Sequence, residues 1–261
     1  MKRKIFLPLF ALILLAACNS SETYQDENIS QSMRDDIAVL DQKIIDAVVS
    51  NDIDLILTLS SEDLLSEKKD SFVNLITQVS PYFKSNEYEI LNQYYITNFS
   101  SGNDCNIQSG TDSTKDYRLV FTANNKETFV SILKLKDGYN DILLSIIYGK
   151  YGGEWKINIL YFGLYAIHGK TANDYLASAR EKYDKGFLMD AFLDMMICME
   201  IIYPGGDYLL YLSETEMHKF TNKIIDGIEE TMNFPLPLEE LETKPQIVSI
   251  YPQIIDEGIF P

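Results

Sequence analysis

The residues able to do chemistry are few. The chain holds two histidines, His168 and His218, and three cysteines, Cys18, Cys105 and Cys198. His168 follows a strand-like stretch, where an imidazole could act as a general base at the mouth of a sheet. A structural role is the competing reading for it. His218 shares a helical stretch with Glu214 and Glu216, where solvent would hold it. The sequence contains no His-x-x-x-His pair, no Cys-x-x-Cys and no Gly-x-Ser-x-Gly, so metal and nucleophile signatures are missing and neither metal nor cofactor is expected. The segment Gly163 to Thr171 reads GLYAIHGKT, the parts of a phosphate loop between a strand and a helix. That loop requires four residues between its glycines, and here five bulky ones separate Gly163 from Gly169. A plain strand-to-helix connection fits better.

Aromatic residues offer a different chemistry. Among seventeen tyrosines and one tryptophan, Tyr148, Trp155 and Tyr161 fall on inward-facing strand phases. With His168 they could line a pocket with few polar groups. The same side chains would equally fill a core between sheet and helices.

The N-terminus carries the most specific pattern. Lys2, Arg3 and Lys4 precede an apolar run from Ile5 to Ala17, interrupted by Pro8. Such a run falls short of the roughly 20 residues that span a bilayer, and its basic start marks a secretory signal. It ends Leu15-Ala16-Ala17-Cys18. This resembles the lipobox of bacterial lipoproteins. The resemblance implies cleavage after Ala17, a diacylglyceryl thioether on Cys18 and acylation of the new amino group. Several buried acyl chains anchor firmly where one would not. Asn19 replaces the aspartate that marks inner-membrane retention in that family, which implies the outer membrane in a host that has one. Residues 1–17 are therefore expected to be a signal peptide and 18–31 a polar tether, reaching on the order of 20 Å.

Charge agrees with an envelope setting. The chain has 39 acidic and 22 basic side chains, a formal charge of −17; without Lys2, Arg3 and Lys4 it is −20. Nucleic acid and anionic headgroups would repel that surface, so contact with the membrane is expected through the lipid alone. The runs Asp35-Asp36, Glu229-Glu230 and Glu239-Glu240 read as solvated faces. Cys105 in a polar loop and Cys198 in an apolar helix are expected as unpaired thiols, although an oxidising compartment would permit a bond.

These groups need elements to position them. Apolar residues at helical spacing predict helices over Ser32–Asn51, Ile53–Leu59 and Asp70–Phe83. The period then shortens to that of strands: Tyr88–Phe99, Tyr117–Thr122, Glu127–Lys136, Asp141–Tyr151 and Glu154–Leu160. The polar stretch Ser100–Lys115 reads as a mobile loop. Trp155, Ile157 and Ile159 alternate with Glu154, Lys156 and Asn158, which predicts an antiparallel sheet with one wet and one buried face. Helical spacing returns from Thr171. Thr171 with Asp174 and Ser213 with Glu216 have capping-box spacing. Gly186 separates two helices, Pro204-Gly205-Gly206 ends the second, and five prolines in Pro235–Pro261 exclude a long terminal helix. Gln246–Tyr251 reads as an edge strand.

Two further resemblances come from this order. Asn51–Leu57 ahead of a helical stretch, and the late Gly153-Glu154-Trp155-Lys156-Ile157, resemble the nuclear-transport-factor-2-like superfamily over Gln31 to about Ile167. That likeness implies a cone-shaped sheet wrapped on helices, with a pocket at its open end. Ala179, Tyr183, Gly186, Ala191 and Pro204 resemble one tetratricopeptide-type hairpin, with small Cys198 at a usual small position. A second copy is missing, and arrays need about three or more. The expected fold is α+β: a cone-shaped domain over 32–168, its N-terminal helices packed on a curved antiparallel sheet, then a C-terminal helical extension with a Pro-rich tail over 169–261. The expected function is a lipid-anchored envelope lipoprotein acting as a non-enzymatic binding or assembly module, its small-molecule or protein partner unspecified. The alternative is an isomerase- or hydrolase-type enzyme in the cone pocket, where a buried Asp or Glu beside a tyrosine would favour catalysis. A third is a partner dock on the helical hairpin.

Overall fold

A computed structural model describes residues 21–83, 85–110, 116–232 and 234–260. The expected signal peptide, its cleavage site and Cys18 lie outside the described residues. The chain enters as β1 (Glu22–Gln25), then forms helices α1 (Gln31–Val49), α2 (Ile53–Leu59) and α3 (Glu62–Val79). Strands follow: β2 (Tyr88–Thr97), β3 (Asn103–Gln108), β4 (Tyr117–Ala123), β5 (Glu127–Asp137), β6 (Asn140–Tyr151), β7 (Glu154–Ile167) and β8 (Lys170–Thr171). Helices α4 (Ala172–Asp184) and α5 (Leu188–Glu200), strand β9 (Leu209–Tyr211) and helix α6 (Glu214–Thr231) come next. Two small hairpins close the described chain, β10 (Leu236–Pro237) with β11 (Gln246–Ile247) and β12 (Gln253–Ile255) with β13 (Gly258–Phe260). The class is α+β, with six α-helices among the described residues and a curled antiparallel sheet.

Local signals explain the breaks. Asp52 accepts a hydrogen bond from the Leu55 amide at 3.0 Å and starts α2, and Ser61 does the same for α3 through Leu64 at 3.2 Å. Thr171 and Asp174 form the reciprocal box that opens α4. Ser213 stands before α6 without capping it, because its hydroxyl donates instead to Asn173 Oδ1 at 2.6 Å.

The main sheet runs β1-β2-β5-β6-β7-β8, antiparallel throughout. Register shifts at Ile90/Asn92, Asp141/Ile142 and Ile147/Tyr148 add local twist and curl it. The second sheet, β3-β4-β9, lies apart from the first and takes β4 out of the meander.

Both faces of the main sheet are covered, which corrects the expected wet face. On one side Phe129, Leu133, Leu144, Ile146 and Ile157 pack against Ile37, Ile44, Ile56, Phe72 and Ile76 of α1–α3. On the other Val130, Ile132, Leu143 and Ile147 pack against β4, β9 and α4–α6, through residues such as Leu119, Leu209, Tyr175, Met195 and Ile224. The reason lies in β5 and β6. Phe129-Val130 and Ile132-Leu133, like Leu143-Leu144 and Ile146-Ile147, are adjacent apolar pairs that need burial on both faces. The alternation at Glu154–Asn158 marks only one end of one strand. The C-terminal helices accordingly form the second layer of the core.

Three further expectations change. Within the expected tether, Glu22–Gln25 pairs with Thr97–Tyr94 of β2, and Ile29 is buried. An open β2 edge needs a partner, and Tyr24 stacks on Tyr95 at 6.0 Å. Within the expected mobile loop, Asn103–Gln108 pairs with β4, where Cys105 is buried against it. The expected edge strand at Gln246–Tyr251 shortens to Gln246–Ile247.

Candidate ligand-binding site

A cavity of about 200 Å³ opens between the second face of the main sheet and the β4, β9 and α4 layer. Its apolar wall comes from Ile132 of β5, Leu143 of β6 and Leu209 of β9, all buried. Leu91 and Asn92 enter from the bulge in β2, which turns that strand toward the space. Half-buried Leu91, Tyr165 and Thr171 form its more accessible rim.

Among the described residues six polar side chains line it; Tyr165 and Thr171 stand at the rim, and the other four divide into two pairs. Tyr117 and Asn92 are satisfied. Tyr117 donates to Asn92 Oδ1 at 2.7 Å, its oxygen lies 2.9 Å from the Tyr94 hydroxyl, and Asn92 Nδ2 donates to Asp26 at 3.1 Å. Asp26 also accepts the Gln93 amide at 2.7 Å, so β1 and β2 are stitched together behind the cavity. Tyr211 and Asn173 form the other pair. The Tyr211 hydroxyl and Asn173 Nδ2 are buried without a hydrogen-bond partner. Their side chains are 5% and 8% exposed, so water outside cannot serve them. A buried polar atom left so costs about 1–3 kcal/mol.

The backbone holds both in place. Tyr211 pairs with Tyr117 across β9 and β4. Asn173 sits in the first turn of α4, fixed by the Thr171–Asp174 box and by the Ser213 hydroxyl on its Oδ1. Among the described residues no Lys or Arg lines the cavity. Burial, then Tyr165, Asp174 and Cys198, push the Tyr211 hydroxyl far above its ordinary range, so it is a neutral donor. Burial, with Tyr94, Asp26 and Tyr165 adding to it, does the same to Tyr117.

The residues expected to share a pocket are not brought together. Tyr148 points to the α1–α3 side, where its hydroxyl donates to Asp41 Oδ1 at 2.6 Å. Trp155 is half-buried on that side, edge-on to Tyr95 and Phe129, with the Lys150 ammonium 5.3 Å from its ring centre. Tyr161 packs edge-on to Tyr208. His168 occupies the β7–β8 turn with φ of 48°, stacks on Tyr139 at 5.0 Å and places Nε2 2.9 Å from the Ile255 carbonyl oxygen. It lies away from the cavity lining. Gly163 and Tyr165–Ile167 belong to β7, so the GLYAIHGKT segment is strand and hairpin. His218 is exposed, its Nε2 3.1 Å from the Tyr203 hydroxyl. Cys105 and Cys198 are free buried thiols; Cys198 donates to the Ala172 carbonyl at 3.2 Å, and burial pushes it up to about 12.

A second polar centre went unread in the sequence. Asp41 is fully buried and accepts from Tyr148 and, at 2.9 Å, from Ser131. Burial raises its carboxyl to about 7, against the lowering effect of both hydroxyls. A lone acid in an apolar helix stripe (Ile37, Leu40, Asp41, Ile44) was the available signal for it. For the cavity, the signal was Asn173 beside a capped helix start. No pairing rule connects it to Tyr211, because a turn and a helical hairpin separate them. Among the described residues, no group of three His, Cys, Asp or Glu could hold a metal ion, and no helix is long and apolar enough to cross a membrane.

No family model, curated protein or solved structure matches the chain.

Proposed function

We propose that this chain is a lipid-anchored lipoprotein of the bacterial cell envelope, held at Cys18 in the outer membrane, and that its folded part is a non-enzymatic module binding a small molecule. The observation that carries the binding reading is the cavity in which two unpartnered polar atoms stand beside the apolar wall of Ile132, Leu143 and Leu209. Binding sites combine these features: apolar enclosure for affinity and a few fixed polar groups for orientation. Three N-terminal helices against one face of a curled sheet also suit the cone-shaped likeness, and the α4–α5 pair suits a single tetratricopeptide-type hairpin used for packing. The lipobox-like Leu15-Ala16-Ala17-Cys18 supports the anchor.

The enzymatic alternative has one observation in its favour, the buried Asp41 beside Tyr148, where a carboxyl near 7 could exchange a proton. Catalysis there requires access to substrate. Asp41 of α1, Tyr148 of β6 and Ser131 of β5 are buried where the sheet packs on α1–α3, so a structural role suits them better.

Two measurements test the proposal. Metabolic palmitate labelling is expected to mark the wild-type chain and to vanish in Cys18→Ala; equal label in both ends the anchoring reading. Methyl NMR against a library of small neutral molecules is expected to shift Ile132, Leu143 and Leu209 together. A library that leaves all three unmoved ends the binding reading.

A further inference from the structure

Resting on that binding reading, we infer that the cavity takes a neutral, ring-sized, mostly apolar molecule carrying one hydrogen-bond acceptor, such as a carbonyl oxygen, seated between the Tyr211 hydroxyl and Asn173 Nδ2.

Size sets the first limit. A cavity of about 150 Å³ holds benzene, so about 200 Å³ admits a six-membered ring with a small substituent and excludes an acyl chain or a nucleotide. The wall sets the second. Ile132, Leu143 and Leu209 offer no polar atom from their side chains, so the body of the ligand is hydrocarbon-like.

Polarity sets the third limit. Asn173 Nδ2 can only donate. Its Oδ1 accepts the Ser213 hydroxyl, and the NH2 group is the end left over. The Tyr211 hydroxyl is neutral and carries a proton to give. Two donors left over at one site call for an acceptor on the guest. Of the other polar side chains of the lining, Tyr117 is engaged with Asn92, Asn92 with Asp26 and Thr171 with Asp174, while Tyr165 stands half-buried at the rim.

Charge sets the last limit. An anion would also accept two hydrogen bonds, but the carboxylate that the lining's own hydrogen bonds lead to is negative. Asp26 stands behind Asn92, and among the described residues no Lys or Arg lines the space. A carboxylate would lose its hydration in exchange for repulsion. An ammonium would find donors where it needs acceptors. A neutral acceptor meets neither penalty.

Three probes of nearly one shape separate the possibilities: cyclohexanone, methylenecyclohexane and cyclohexanecarboxylate. Each is titrated into the full folded chain and followed by the methyl signals of Ile132, Leu143 and Leu209. The ketone is expected to bind at least about tenfold tighter than the hydrocarbon, one hydrogen bond's worth of discrimination, and the carboxylate weakest of all. In Tyr211→Phe the ketone's advantage should shrink while hydrocarbon affinity stays. That variant removes a hydroxyl with no partner in the free fold, so its urea midpoint should hold or rise. A fall in midpoint would make the hydroxyl structural and overturn the assignment. Equal affinity for ketone and hydrocarbon overturns the acceptor while leaving a binding cavity. Tightest binding by the carboxylate overturns neutrality. Binding by none of the three overturns both this inference and the binding reading, leaving Tyr211 and Asn173 to water.

Discussion

Asp41 is the side chain whose protonation matters most to the fold. Its carboxyl titrates near 7 inside the protein and near 3.8 in the open chain, because burial penalises the charged form more than Tyr148 and Ser131 favour it. The native state therefore binds the proton that the unfolded state has already lost between those values. This contribution to stability is fully present below about pH 3.8, declines as pH rises through 7 and is flat above that. Asp41→Asn keeps the neutral shape and removes the titration. Its amide carbonyl can accept from Tyr148, while its NH2 donates to the Ser131 oxygen. Urea melts of parent and variant, compared at each pH, are expected to separate progressively from pH 4 to pH 7. The gap should widen in the variant's favour by on the order of 4 kcal/mol across that window. Other carboxylates shift both proteins alike and cancel. Parallel curves would mean that Asp41 stays ionised in the fold.

At the scale of elements, glycine shows how context decides the sign of one substitution. Gly163 lies in β7, and a Cβ there would run into the backbone of Pro204, which cannot rotate aside. Gly227 lies within α6, where a Cβ would meet only the Leu188 side chain at 3.5 and 3.6 Å. Gly163→Ala is expected to destabilise by about 1–3 kcal/mol through overpacking, and Gly227→Ala to stabilise by about 0.5–1 kcal/mol through helix propensity. Denaturant midpoints read both, and equal shifts would refute the packing argument. The same distinction explains what the sequence made legible. The helix at Ile53–Leu59, the strands from Tyr117 to Tyr151 and the Thr171–Asp174 cap follow from local period and side-chain chemistry, and each recurs in the structure within a few residues, while the strand expected over Glu154–Leu160 runs on to Ile167. Burial of the second sheet face was not local. It depends on α4–α6 folding back over β5 and β6, to which only the paired apolar residues of those strands testify. The four aromatic and histidine positions chosen for a pocket failed for a related reason. Inward phase is defined against one face, and in a sheet buried on both faces Tyr148 and Tyr161 point in opposite directions. Tyr211 and Asn173 meet only because β9 pairs with β4 beside the start of α4.

For the whole molecule, the decisive contact is the one made by the polar segment ahead of α1. Strand β1 completes the open side of β2, Asp26 holds both Gln93 and Asn92, and Ile29 is buried at 2% exposure. With lipid on Cys18, β1 begins only four residues beyond the anchor, at most about 14 Å of extended chain. On the proposed anchoring the sheet edge would be held close to the bilayer, and the proposed anchor and the cavity would share one strand pair, since Asn92 passes from Asp26 to Tyr117. A chain shortened to begin at Gln31 loses that link. It forfeits the Ile29 side chain, about 1.5–3 kcal/mol, and the two hydrogen bonds to the Asp26 carboxylate, about 1.5–3 kcal/mol each. Partial relaxation of the freed groups into water lessens the sum, so a loss of about 3–5 kcal/mol is expected in urea melts. The bared β2 edge should also drive concentration-dependent association, visible by light scattering. Asp26→Ala tests the same link more gently: β1 still pairs, but Asn92 loses its carboxylate, and methyl shifts should appear at Ile132 and Leu143 across the cavity. A shortened chain that melts and sediments like its parent would show that the segment merely lies along the edge, and would detach the proposed anchor from the site.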